Sequence, residues 1–203
     1  MQGEQGNSFH FSSPFIGRRE EIALFKELTQ RILTDGRYLL LISGPPGIGK
    51  SRLLEEMYKS ARRRKTDGVE PLVARYRFRE ETSLPQSAVW ERILENLISE
   101  ASEKTVIDQF RMLCRTRPII LFIDNIHLGG ERFFIRFDDL LEELRDLPFL
   151  AVCAYRDLPV YRGRFLSFLS GMKPLTRVVE HQLKNLSERE TGLLIEKIIG
   201  EEP

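Results

Sequence analysis

The sequence predicts an α/β fold with a central parallel sheet of about five strands, flanked by helices on both faces. Short apolar runs alternate with amphipathic stretches of helical period along most of the chain. Most of these runs are apolar at every position, the pattern of strands covered on both sides. One of them, Tyr38-Leu39-Leu40-Leu41-Ile42-Ser43, leads straight into Gly44-Pro45-Pro46-Gly47-Ile48-Gly49-Lys50-Ser51. That octapeptide fits G-x-x-x-x-G-K-[ST], the phosphate-binding P-loop, and it lies in the strand–loop–helix setting the motif requires.

The loop carries its own chemistry. Its glycines let consecutive N–H groups point into one hollow that a polyphosphate fills, and the helix opening near Lys50 adds its positive end beneath the anion. Lys50 is placed to reach the outer phosphates, Ser51 to hold Mg²⁺ through its hydroxyl, and Arg52 follows at the helix start. Four fixed positions of this kind recur by accident in roughly 1% of chains of this length. The sequence therefore predicts a nucleoside triphosphate site.

With 203 residues the chain suffices for one α/β domain. Its 41% hydrophobic and 30% charged content is that of a water-soluble domain, and a net charge of +1 gives no global argument for nucleic acid or a membrane surface. No run approaches a membrane span, and the N-terminus lacks a secretory h-region. Cys114 and Cys153 stand in apolar surroundings without metal-ligand spacing, and read as reduced core thiols of a cytoplasmic protein.

Taken in order, residues 1–13 are Gly-, Gln- and Ser-rich and read as a mobile tail. Ile22, Phe25, Leu28 and Ile32 keep a helical period, and Asp35-Gly36 turns the chain into the first strand. After the P-loop helix comes Arg62-Arg63-Arg64-Lys65, basic residues that suit a helix C-terminus. The second strand is expected over 72–76. A helix follows with Val89, Trp90, Ile93, Leu94, Leu97 and Ile98 on one face, then another over 106–114. Pro118 opens a third strand, 119–124, and Gly129-Gly130 breaks the chain before a helix over 133–146. Strands over 149–155 and 178–183 complete the sheet. Ser187 and Glu190 form a capping box for a last helix, 191–199.

The second half of the site starts from Asp124, which ends an apolar strand. A carboxylate at the C-terminal end of a neighbouring strand is what a P-loop site uses to hold Mg²⁺, so Asp124 reads as the metal partner of Ser51. Asn125 follows, where many such ATPases carry a second acid. An amide positions water but takes no proton. His127 stands two positions on, either as a water-placing group or as a histidine that fixes the loop. Arg156, at the tip of the fourth strand, is placed to read a terminal phosphate, the alternative being a surface pair with Asp157.

Together these segments resemble the AAA-type ATPase domain of the STAND class, the signal-transduction ATPases of MalT-like regulators. Phe15-Ile16-Gly17-Arg18-Arg19-Glu20 is similar to that family's opening F-[VI]-G-R-x-x-E. Glu80-Glu81, Leu84-Pro85 and Trp90 resemble the stretch after its second strand, Asp124-Asn125-Ile126-His127 its Walker B extension, and Tyr155-Arg156-Asp157 its strand end. Leu183-Lys184-Asn185-Leu186-Ser187 resembles the entry to its helical lid. The resemblance implies that Phe15, Ile16, Gly17 and Arg18 pack against adenine, that Arg156 senses the terminal phosphate, and that ATP or ADP with Mg²⁺ is the ligand. It also implies that the strand ending in Asp124 does not follow the P-loop strand directly in sequence. The layout it gives is a tail (1–13), an ATPase core (14–185) and the first helix of a lid (186–203), with the chain ending where such proteins continue. Asn125, and Leu128-Gly129-Gly130 in place of Trp-Ala-Asp, depart from the family pattern at the hydrolytic end.

The expected function is an ATP-driven regulatory switch with slow Mg²⁺-dependent hydrolysis, its partner a protein or a second copy reached through regions past Pro203. Nucleic acid is not indicated for this domain. Two alternatives stay open: a nucleotide-binding scaffold without turnover, and an AAA+ initiator-like ATPase associated with nucleic acid. For the latter the run 62–65 and Arg75, Arg77 and Arg79 are the hints.

Overall fold

A computed structural model describes residues 14–63, 68–80, 88–98, 104–157, 162–172 and 177–200. Strands β1 (Tyr38–Ser43), β2 (Leu72–Arg77), β3 (Ile119–Asp124), β4 (Phe149–Ala154) and β5 (Arg177–Gln182) form one sheet in the order β2-β3-β4-β1-β5. Every pairing is parallel. Helices α1 (Arg19–Asp35), α2 (Lys50–Arg63), α3 (Ala88–Glu95), α4 (Val106–Thr116), α5 (Glu131–Glu143), α6 (Arg162–Met172) and α7 (Glu188–Ile199) precede, connect or follow them, with a short 3₁₀ turn at Ile126–Leu128. The α/β fold with a five-stranded parallel sheet is the one the sequence predicts.

The apolar strands are the central ones. β1, β3 and β4 are buried along their whole length, whereas the edge strands β2 and β5 are partly exposed. Side chains along a strand alternate between faces, and here the alternation divides the core in two. Leu39, Leu41, Leu121, Ile123, Ala151 and Cys153 meet Trp90, Phe110, Phe133 and Phe137 from α3, α4 and α5. Leu40, Ile42, Ile120, Phe122, Leu150 and Val152 meet Phe25 and Leu28 of α1 and Leu53 and Met57 of α2. The first layer is built on aromatic rings, with Trp90 stacked on Phe133 at 4.9 Å between centroids and 4° between planes.

Element ends move by a few residues from the sequence expectation. α5 begins at Glu131, because Gly130 is extended and caps it, and it gives way at Leu144 to a turn closed by Arg145 N–H on the Glu142 carbonyl. α3 stops at Glu95, where Asn96 turns its side-chain amide onto the Arg92 carbonyl. Leu97 still packs against the core, from that turn rather than from the helix. The last helix starts at Glu188, directly after the Ser187 cap, and the reciprocal Ser187–Glu190 capping box is present. Cys114 and Cys153 are free and buried, and burial pushes the Cys114 thiol up to about 12, leaving it unreactive at neutral pH. No helix among the described residues is long and apolar enough to cross a membrane. The expected tail, together with Arg64, Lys65, Glu81, Leu84 and Pro85, lies outside the described residues.

Because all strands run the same way, their C-terminal ends and the loops that follow share one edge of the sheet. The register sets Arg77 opposite Asp124, and Ile42 opposite Ala154. This is the edge where open parallel sheets bind ligands.

Candidate functional site

The loop between β1 and α2 leaves two of its glycines uncovered. Gly47 and Gly49 take φ of +81° and +99°, and a Cβ added at either would meet nothing within 4 Å. A side chain at either position would meet open space, so the loop's backbone is uncovered there. Lys50, at the first residue of α2, is buried and donates from Nζ to the Gly44 and Pro45 carbonyls, both at 2.8 Å. Burial lowers its ammonium below the ordinary lysine value, the Arg156 guanidinium lowers it further, and Asp124 opposes them.

Ser51 and Asp124 are brought together by a residue the sequence reading did not place in the site. Arg77, at the end of β2, puts Nε 3.0 Å from Asp124 Oδ2 and donates from Nη2 to Ser51 Oγ at 3.0 Å. The two side chains expected to hold Mg²⁺ thus face a single cation. This geometry fits a metal, since two oxygen donors converge on a spot that already holds positive charge. Among the described residues no group of three or more His, Cys, Asp or Glu forms a metal cage by itself. Any ion here therefore needs ligand oxygens to complete its shell.

One expectation is corrected. The strand carrying Asp124 is not a neighbour of the P-loop strand in the sheet, because β4 lies between β3 and β1. That insertion brings the end of β4 into the middle of the site. Arg156, just past β4, places Nη1 3.7 Å from Glu80 Oε1, and its backbone N–H donates to His127 Nδ1 at 3.4 Å. The pairing described for its side chain is with Glu80, where the sequence offered Asp157.

His127 is buried in the 3₁₀ turn. Burial, then Arg156, then Lys50 push its imidazole down to about 4, so it is neutral at pH 7 and accepts from the Arg156 backbone. Asn125 sits in the left-handed region at φ 55°, which Asn tolerates better than most residues. Its backbone N–H donates to Asp124 Oδ1 at 2.9 Å, and its Nδ2 donates to the Phe78 carbonyl at 3.2 Å. Phe78 N–H in turn donates to the Asp124 carbonyl at 3.0 Å. A carboxylate at position 125 would set oxygen against oxygen at Phe78, a local reason for an amide there.

The opening segment reaches the loop through Arg18. Its guanidinium donates to the Ile48 carbonyl at 3.0 Å and to the Lys184 carbonyl at 2.8 Å, and it pairs with Glu21 at 3.4 Å. Gly17, at φ +72°, comes so close to α7 that an added Cβ would lie 2.4 Å from Glu190 Oε1. The Phe15 ring packs against the α1–α2 layer, with the Arg52 guanidinium 5.9 Å from its centroid, while Arg52 also pairs with Glu56 at 3.2 Å. Ile16 is half-buried beside them.

Arg77, Glu80 and the carbonyls of Phe78 and Lys184 were missed in the sequence. A signal for Arg77 existed. Residues two apart on a strand share a face, and Arg75 lies on the same face, against α2, held by Glu55 at 2.8 Å and by the Tyr58 ring at 4.5 Å. Arg75 and Arg77, two of the basic residues that hinted at nucleic acid, are therefore engaged with the chain's own carboxylates.

A glycine-lined loop heading a helix, with a buried aspartate two strands away at the same sheet edge, defines a P-loop nucleotide-binding fold. Within that class the chain belongs to the AAA ATPase domain family, whose sequence profile matches residues 14–152. No curated protein sequence matches it significantly. Similar solved structures include Orc1 of Aeropyrum pernix in complex with DNA, with a TM-score of 0.62, 16% identity, and coverage of 94% of this chain and 52% of that one. Cdc6p of Pyrobaculum aerophilum gives 0.65 and 13%, over 95% and 52% of the two chains. Drosophila ORC bound to DNA gives 0.61 and 12%, over 100% and 55%. At these identities the likeness is one of fold, and the chain spans about half the length of each.

Proposed function

We propose that this chain is an ATP-binding regulatory switch that hydrolyses its nucleotide slowly with Mg²⁺ and works in the cytoplasm. The observation that carries the reading is the P-loop geometry: Lys50 lies against the Gly44 and Pro45 carbonyls, and the loop's Ser51 is joined through Arg77 to Asp124 at the same sheet edge. In this reading Lys50 turns from the Gly44 and Pro45 carbonyls to the outer phosphate oxygens, while the backbone of residues 44–51 cradles the rest. Ser51 and Asp124 would hold Mg²⁺, which supplies neutralising charge to the phosphates. Arg156 reads the terminal phosphate, its backbone fixed by neutral His127. Residues 15–18 and Arg52 line the base side.

Hydrolysis is slow in this scheme because neither of the two water-placing residues after Asp124 is a strong base. Asn125 takes no proton, and His127, at about 4, takes one weakly. With one Nδ2 hydrogen bonded to the Phe78 carbonyl, Oδ1 and the second N–H of Asn125 are the parts of its amide that could orient water. The STAND-like signalling role is supported by the Arg18 link between the loop and the segment before α7. α7 itself buries nothing and exposes Leu193, Ile195, Ile198 and Ile199. We take residues 14–185 as the ATPase core and 186–203 as the first lid helix, through which a protein partner or second copy is contacted.

A single-turnover assay tests the reading, with protein in excess over trace Mg·ATP and Lys50→Ala alongside. Slow conversion to ADP by the wild type alone supports it. ATP that stays bound and intact leaves a scaffold without turnover, and ATP that never binds ends the proposal. A second reading, an initiator-like ATPase associated with nucleic acid, is favoured by the DNA-bound state named for two of the similar structures. It requires DNA binding that weakens steeply with salt.

A further inference from the structure

We infer that Arg77 is a built-in counter-ion standing where Mg²⁺ would bind, a latch that the metal must displace before it can join a bound nucleotide. The inference rests on the nucleotide-switch reading and adds a regulation to it: the chain takes up metal-free nucleotide readily and gains little affinity from Mg²⁺.

The argument begins with Asp124. Its side chain is 8% exposed, and a buried carboxylate needs a partner. Register provides one, since Arg77 lies opposite Asp124 in the β2–β3 pair. The guanidinium fork then spans both oxygens, with Nε on Asp124 Oδ2 and Nη2 on Ser51 Oγ, each at 3.0 Å. An arginine only packed beside the site would have no reason to touch the P-loop hydroxyl. A divalent ion entering between Ser51 and Asp124 meets this guanidinium, and two cations at one carboxylate repel. Part of what the metal gains is therefore spent in removing Arg77.

The displaced side chain has somewhere to go. β2 is an edge strand, and the Arg77 side chain is already 25% exposed. Arg75, two residues back on the same face, is tied to Glu55 and the Tyr58 ring, so the strand stays anchored to α2 while Arg77 swings. Lys50 and Arg156 make the surroundings positive, which drives a released guanidinium toward phosphate oxygens. Without metal the same charge beside Ser51 serves the phosphates from where it already lies.

The test measures binding, not turnover. A fluorescent ADP analogue is titrated into wild type, Arg77→Gln and Arg77→Lys, each in EDTA and in excess Mg²⁺, with folding of every variant checked by thermal melting. The expected result is that Mg²⁺ tightens binding by about threefold or less in the wild type and by roughly thirtyfold in Arg77→Gln. Arg77→Lys, which keeps the charge without the fork, falls between them and supplies the readout if the glutamine variant does not fold. An equal Mg²⁺ gain in wild type and variants overturns the latch while leaving the nucleotide reading in place. Absence of ADP binding by every protein in both buffers overturns that reading, and the latch with it.

Discussion

At the N-terminal end of β1, Gly36 takes φ +82°, and a Cβ there would fall 2.5 Å from the Arg145 carbonyl oxygen. At the C-terminal end, Gly47 and Gly49 take similar angles, and a Cβ would meet nothing within 4 Å. The residue type and the backbone region are shared, but one glycine lets two segments close on each other and the others leave their backbone uncovered. The charges divide in the same way. At the closed end Asp35 accepts from the Tyr38 hydroxyl at 2.7 Å and from Thr34 at 2.8 Å, and Arg31 and Arg177 lie over the Tyr38 ring. The Tyr38 hydroxyl first, then Thr34, holds the Asp35 carboxyl below its ordinary value. At the open end Arg77 pairs with the buried Asp124, and burial, then the Arg156 guanidinium, hold Lys50 below its ordinary value against the pull of Asp124. An end finished by its own side chains is structural. An end with cations beside uncovered backbone suits an anion, as the proposed function requires.

The comparison breaks if variants at the two ends fail in the same way. Lys50→Ala is expected to weaken ATP binding about 1,000-fold, or ~4 kcal/mol, by removing the charged contacts to the outer phosphates. Its melting temperature should hold or rise, since a buried charge is lost, and a titration beside a thermal melt checks both. Gly36→Ala should do the reverse. Backbone collision and a left-handed φ cost about 3 kcal/mol of stability, with ATP affinity of the folded fraction unchanged by the same titration.

His127 sharpens the picture of the open end. Its imidazole is held at about 4 against an ordinary 6.5. Between those values the unfolded chain binds a proton that the folded chain refuses, so stability falls as pH drops from 6.5 toward 4. His127→Asn should remove that part of the slope, worth roughly 2–3 kcal/mol at the acid end, in denaturant melts across the window. The smallest effect is expected for Ser187→Ala. Loss of the cap costs ~1 kcal/mol locally, and because α7 buries nothing it should appear as faster amide exchange in α7 with little change in global melting.

Much of this was legible in the sequence for a physical reason. β1, the P-loop and α2 are contiguous, so residues 38–63 carry strand, turn and helix signals that need no distant partner. The apolar runs of β3 and β4 and the Ser187–Glu190 box are local in the same sense. Asp124 became legible once the loop was found, because the chemistry requires a second oxygen donor. Arg77 did not, because its role depends on the register that sets β2 beside β3. The task of Asn125 was hidden for a similar reason: its acceptor, the Phe78 carbonyl, lies 47 residues away in sequence.

What the sequence determined by itself was the fold class, the P-loop motif between its strand and helix, and the polar side chains that accompany it, since all follow from periodicity and short-range spacing. Only the tertiary structure decided which of those side chains meet. It placed β4 between β3 and β1, so that Arg156 and His127 enter the site, and it put Arg77 between Ser51 and Asp124. Those outcomes depend on strand order and register, which arise from how distant segments bury their apolar faces together.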